Sequence, residues 1–300
     1  MRSRRAAPRR KASSASSSKS RTIIFHELPQ WAQDNEWIVG GYRRIQNHWW
    51  GCFKSVFGYL HNETVNIHTH LGGALLFGYF LATLHNVELK EFPTTWMDSF
   101  MLVVFLSSAI FCLMTSATFH TASCHSQKVA GRCLTMDYAG IVILTVGSFY
   151  PAVHFGFYCH PHEKLFYLAL LTSVGIFAAY IVLNPVYAQP THRGARTAVF
   201  IGLGLAGVVP TVHCILREGI SRVLVDYGLR WILLSAALYI GGGALYANRI
   251  PERFSPGRFD YFFASHQIFH VCVLVAVCLH YHGVFTSLRY TYSQPDICAA

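Results

Sequence analysis

Charge is what this sequence has least of. Asp, Glu, Lys and Arg supply 13% of its 300 residues, where soluble domains carry roughly 25%. So little charge cannot cover a water-soluble domain of this length, and that class is excluded. Acid is missing altogether from Met1 to Arg21, and no apolar signal peptide opens the chain. The nine cysteines are too scattered for a disulfide-rich secreted scaffold. Disorder of the body is excluded too, because 53% of the residues are hydrophobic and the mean hydropathy is +0.33.

What the chain has instead is long apolar runs. Windows of about 20 apolar residues mark membrane-spanning helices. Seven occur, at 67–87, 98–120, 133–155, 164–184, 197–216, 230–247 and 264–283. The expected fold class is all-α, a polytopic seven-helix membrane protein. Residues 1–40 read as a Ser/Arg-rich basic disordered arm, densest from Met1 to about Arg21. Residues 41–66 read as an amphipathic juxtamembrane helix, 67–290 as the seven-helix domain and 291–300 as a short outer tail. In the juxtamembrane stretch Trp49, Phe53, Val56, Phe57 and Leu60 recur at helical spacing beside Arg43, Arg44 and Lys54. Such a helix can lie on the membrane surface, pack on the bundle end, or do both.

The net charge of +10 is uneven. With the N-terminus inside, the inner segments hold 18 of the 24 Lys/Arg and the outer ones six. The positive-inside rule therefore places the N-terminus in the cytoplasm and the C-terminus outside, opposite to the rhodopsin-like receptors. The basic arm suits contact with anionic inner-leaflet lipid; a mitochondrial presequence is the second reading. No folded basic surface follows the arm, so no nucleic-acid partner is expected. Cys52 and Cys124 face the reducing side. Cys159 and Cys298 fall on the outer side, where a bridge between them is the minor alternative.

Polar groups inside the spans carry the chemistry. An ionisable residue in lipid is costly and points to function. The second span ends in Ser116 and His120, at i,i+4 on one helix face. Asp137 stands about one turn into the third span. His266 and His270 open the seventh, again at i,i+4, the spacing by which one helix offers two imidazoles to one metal. With the N-terminus inside, all three segments bring these groups to the same inner depth. Three imidazoles and a water, with a carboxylate beside the water, make a catalytic-type Zn²⁺ site with one open position. His68 and His70 point about 200° apart on their helix and cannot chelate together. His125, His154, His160, His162, His280 and His282 read as interfacial or solvated.

These residues sit in longer runs that resemble a known family. The runs are Asn62-Glu63-Thr64-Val65-Asn66-Ile67 into Thr69-His70-Leu71-Gly72, Phe119-His120-Thr121 with Cys124-His125-Ser126, and Asp137-Tyr138-Ala139-Gly140-Ile141. Arg249-Ile250-Pro251-Glu252-Arg253-Phe254 and Ser265-His266-Gln267-Ile268-Phe269-His270 follow. Over about 40–290 the chain resembles the progestin and adiponectin receptor family, or haemolysin III-related proteins, most like adiponectin receptor-like proteins of the fungal type.

The resemblance implies a zinc ion on His120, His266 and His270, with Asp137 and Ser116 holding or neighbouring its water as catalytic residues. It implies a bundle cavity for a membrane lipid, whether ceramide, fatty acid or sterol, and a ceramidase-like amide hydrolase. Zinc homeostasis and lipid or sterol metabolism are the implied settings, in the plasma membrane or endoplasmic reticulum. The alternative is a signalling receptor in which zinc is structural, with an extracellular ligand left open. Outer loops as short as 156–163 offer a large ligand little surface. A zinc transporter or a pore-forming haemolysin would need polar groups along a path, which the spans lack.

Overall fold

A computed structural model describes residues 20–188, 190–294 and 298. Within them a short helix α1 (Trp49–Gly58) precedes α2 (Thr64–Thr83), α3 (Trp96–Ala122), α4 (Gln127–Gly156) and α5 (Pro161–Val182). Then come α6 (Arg193–Leu205), α7 (Val208–Glu218), the short α8 (Ile220–Val225), α9 (Leu229–Asn248) and α10 (Ser265–Ser293). Seven spans are long and apolar enough to cross a bilayer, with α2 prolonged by a π turn and α6 and α7 sharing one span. The chain is an integral, multi-pass membrane protein.

Most spans outrun their apolar windows, because end turns carry polar capping residues that lower the local hydropathy. Thr95 and Asp98 cap each other's backbone N–H at the start of α3, satisfying donors a helix start leaves open. In the fifth span the helix breaks at Ala206–Gly207, one turn before Pro210. Proline has no N–H for the carbonyl four residues back and its ring crowds that turn. Pro151, by contrast, lies inside the uninterrupted α4.

The main core lies between α2, α3, α4 and α10, where Phe77, Phe105, Leu102, Leu106, Leu113, Val277 and Leu288 are buried. A second cluster joins Val153 and Phe157 to Tyr167, Leu171, Cys214 and Leu229. Apolar side chains such as Leu75, Ile176, Phe177 and Leu216 point outward, as lipid-facing surface does. Small residues set how closely helices approach. A Cβ on Gly147 would stand 2.3 Å from Ser108 Oγ, and one on Gly140 2.9 Å from the Cys112 backbone. One on Gly242 would meet Cys272 of α10 at 2.8 Å, so this member of the Gly241–Gly243 run serves close packing.

Three expectations change. Residues 20–40 are folded rather than part of a disordered arm; residues 1–19 lie outside the described residues. β1 (Thr22–Ile23) pairs antiparallel with β2 (Tyr42–Arg43), Asp34 meets Arg249 and Arg193, and Asp260 accepts from the Val39 and Gly40 amides. These pairings supply the backbone and ionic partners that a composition-based reading cannot see.

Second, Cys159 and Cys298 are bonded across 139 residues. α10 runs on to Ser293, ten residues past its apolar window, and this brings the tail to the α4–α5 turn. Third, His154, His280 and His125 are buried. His154 donates to Asp98 at 2.7 Å and His280 bonds the Ser148 carbonyl at 2.9 Å. Partners on neighbouring helices replace the water these rings were expected to keep. Asp98 also accepts from Tyr292 at 2.7 Å, so α3, α4 and α10 are fastened at this end.

Helix α1 is shorter than the 41–66 expected for it, packs on the bundle with one face and leaves an apolar face uncovered. Cys52, Ser55 and Val56 are buried against the bundle, and Trp50, Phe53 and Phe57 are exposed. Because α3 and α4 touch through glycine, Gly140→Val and Gly147→Val should each cost about 1–3 kcal/mol by overpacking. Thermal unfolding in detergent should show midpoints below wild type. An unchanged midpoint would mean the two helices can part without loss.

Candidate metal centre

His120 stands in the last turn of α3, and His266 and His270 in the first two turns of α10. One nitrogen from each ring lies within 4.8 Å of the other two. His266 Nε2 is 3.1 Å from His120 Nε2 and 3.1 Å from His270 Nε2. Ligands held at 2.0–2.1 Å in a tetrahedron stand about 3.3 Å apart, close to these separations. His120 and His270 are buried and His266 is partly buried.

The far side of two rings fixes which nitrogen carries the proton. His120 Nδ1 lies 2.7 Å from Glu63 Oε2, an acceptor, and His270 Nδ1 lies 3.1 Å from the Asn66 carbonyl oxygen. Both Nδ1 atoms must donate, so both Nε2 atoms turn bare lone pairs inward. Two lone pairs facing a third ring nitrogen at 3.1 Å leave the centre short of positive charge. A metal cation would supply it, and the donor set fits one. Glu63 itself is held by Asn66 Nδ2 at 2.6 Å. Burial raises its carboxyl pKa, but His120, His266 and Asn66 together outweigh burial and hold it below the usual carboxylate range.

The helices that present these rings are themselves anchored. Arg43 donates to the carbonyls of His120 and Thr121, which the end of α3 leaves without intrahelical partners. Glu252, fully buried, accepts from the Ser265 amide at 2.7 Å and from Asn35 Nδ2 at 3.2 Å. That puts a carboxylate on the α10 N-terminus, where the helix dipole favours it, one residue before His266.

Of the residues singled out in the sequence, the structure brings His120, His266 and His270 together. Ser116 and Asp137 are buried nearby. Asp137 lies within electrostatic reach of Ser116 and His120. His68 is exposed and turned to Phe57, away from the centre. His70 is buried and stacks on His270, with ring centroids 3.7 Å apart, so it braces a ligand ring face-on. Sequence reasoning missed Glu63, Asn66, Arg43 and Glu252. The available signal was the spacing of Glu63, Asn66 and His70, which at i,i+3,i+7 share one helix face.

A sequence profile described as haemolysin-III related matches residues 58–281, a stretch that holds the three histidines with Glu63, Asn66, Ser116, Asp137 and Glu252. The chain belongs to the haemolysin III-related family. Among the relatives within it, the progestin and adipoQ receptor-like protein 1 of Caenorhabditis elegans is 40% identical over 264 residues, 88% of this chain and 60% of its own. The adiponectin receptor protein of Drosophila melanogaster is 38% identical, over 89% of this chain and 59% of its own. The chain thus spans about three-fifths of these two animal relatives. The ADIPOR-like receptor IZH2 of Saccharomyces cerevisiae is 35% identical over 95% of this chain and 91% of its own.

Replacing His120, His266 or His270 by Ala should each lower the metal content of the purified protein. Glu63→Ala should keep the three ligands yet weaken metal binding by about 10–100-fold, the usual effect of losing a partner that orients a ligand. Competition with a chromophoric chelator measures this. An unchanged affinity would show that Glu63 does not orient His120.

Proposed function

We propose that this adiponectin receptor-like protein is a zinc-dependent amide hydrolase acting on a ceramide-like lipid, within lipid and sterol metabolism and zinc homeostasis. The observation that carries the reading is the inward convergence of three imidazole nitrogens beside a buried Asp137–Ser116 pair. Imidazole suits zinc among the common metals, and a three-His set keeps a fourth position open. A zinc ion held there supplies a Lewis acid and lowers the pKa of a coordinated water to about 7.

The chain's own residues supply the rest. A carboxylate oxygen of Asp137 accepts the proton as the nucleophile forms and returns it to the leaving amine nitrogen. Ser116 keeps that carboxylate turned to the centre. Glu63 and Asn66 hold the imidazoles in the ligating tautomer. The apolar spans take the lipid tails. The names of the relatives favour a second reading, a signalling receptor in which the metal only clasps α3 to α10.

The same reading places the N-terminus in the cytoplasm. The 18-to-6 division of basic residues supports it, and so do the cysteines. The bonded pair Cys159–Cys298 marks one end of the bundle and the free thiols of Cys52 and Cys124 the other, as an oxidising outside and a reducing inside require. An N-terminal tag should therefore resist protease added to intact cells, while a tag after Ala300 should be cleaved. The reverse pattern overturns the orientation.

Asp137→Asn separates enzyme from clasp. Asn keeps the size and a hydrogen bond but cannot take the proton. Ceramide hydrolysis in detergent should fall by about 10²–10⁴ while zinc, measured on the same samples, stays bound. A variant as active as wild type, or a wild type that hydrolyses no ceramide, favours the receptor.

A further inference from the structure

Cys52 and Cys124 play no part in the metal centre, yet they are in contact. Cys52 lies on the buried face of α1 and Cys124 in the turn between α3 and α4, 0% and 3% exposed. Their sulfurs are 3.6 Å apart, and a disulfide needs about 2.05 Å. The other five free cysteines, Cys112, Cys133, Cys214, Cys272 and Cys278, all lie in spans.

The surroundings of the pair differ from ordinary packing. The Arg43 guanidinium reaches across the same joint, donating to Ser55 Oγ on α1 at 2.9 Å and to Ser123 Oγ at 2.8 Å. The contact with the Cys52 sulfur lowers the Cys124 pKa. Burial opposes this, and the Arg43 charge adds to the lowering. A thiol beside a second thiol and a guanidinium has the electrostatic setting of an oxidisable pair, although both sulfurs are buried, and the cysteines in apolar spans lack that setting.

We infer that Cys52 and Cys124 form a reversible oxidation site, a dithiol that a peroxide converts to a disulfide clasping α1 to the end of α3. The Cys124 thiolate attacks one peroxide oxygen. The O–O bond breaks, hydroxide leaves and takes the proton released by Cys124, and a sulfenic acid remains. The Cys52 sulfur then attacks the Cys124 sulfur, the S–O bond breaks, and the Cys52 proton leaves with the departing hydroxide as water. Two thiols are oxidised and one peroxide is reduced to two waters. The bond makes covalent a joint that Arg43 already spans with hydrogen bonds, four residues beyond His120. The inference stands independently of the hydrolase reading.

The test treats the full-length protein in detergent with hydrogen peroxide, alkylates free thiols after denaturation, and digests it. A Cys52–Cys124 linked peptide, two hydrogens lighter than the two reduced peptides together, should appear in wild type and vanish with dithiothreitol. Cys52→Ser and Cys124→Ser should each abolish it. Cys52→Ser should leave Cys124 as a sulfenic acid that a 1,3-diketone traps. Amide hydrogen exchange over 49–58 should slow about tenfold in the bridged form, a tenfold change being about 1.4 kcal/mol at 25 °C. Thiols that stay alkylatable, or oxidation to sulfinic acid with no linked peptide, overturn the site. A bridge that leaves exchange unchanged overturns the clasp.

Discussion

Two hydrogen bonds on the outer edges of two imidazoles hold the candidate metal centre in a ligating form. His120 and His270 could each carry their proton on either nitrogen. Glu63 and the Asn66 carbonyl leave them one choice, with Nδ1 protonated and Nε2 bare. Either proton on the other nitrogen would point N–H at a facing ring nitrogen and remove a ligand. Helix α2 gives no ligand, yet its Glu63–Asn66–His70 face fixes two of the three. A metal held there would also contribute folding energy, because it would join the hydrogen bonds that draw the ends of α2, α3 and α10 to one point.

The opposite end of the bundle keeps that point in register. Asp98 is fully buried and accepts from His154 of α4 and Tyr292 of α10, while Cys159–Cys298 ties the chain after α10 to the α4–α5 turn. Removing one partner from so buried a charge leaves it uncompensated, which is far costlier than losing a surface pair. α10 is thus held at both termini, by Glu252 at Ser265 and by the Asp98 cluster near its end. A slide of one residue along its axis would move His266 and His270 by about 1.5 Å, enough to break the convergence of the three rings. The spans of α5 and of α6 with α7 bury fewer of their residues than those of α3, α4 and α10, so the centre sits in the more deeply buried part of the bundle.

The parts of this design that are local in sequence were legible there. Seven spans follow from hydropathy, which sums over neighbours. The three ligands follow from i,i+4 spacing on α10 and from histidine at a depth where lipid penalises it. What was not legible depends on pairing across the fold. Glu63 looks like an ordinary acid before a span until His120 arrives beside it from 57 residues away. Arg43 reads as surface charge until the end of α3 lays its carbonyls against it. The disulfide was underrated because the apolar window of α10 stopped ten residues short of the helix.

The residues around the centre divide by depth, and the division bears on what the site acts upon. Those that align the ligands, Arg43, Glu63 and Glu252, lie at or beyond the ends of the spans. Ser116 is one turn further into the bundle than His120, and Asp137 is ten residues into α4, about 15 Å along its axis. A purely structural clasp does not need a carboxylate at that depth, where ionisation is costly. A carboxylate that takes up and returns a proton, as proposed for Asp137, has a use for a buried place beside the three histidines. The reacting group would then arrive from the bilayer side of the metal, past apolar walls, as the polar head of a lipid does.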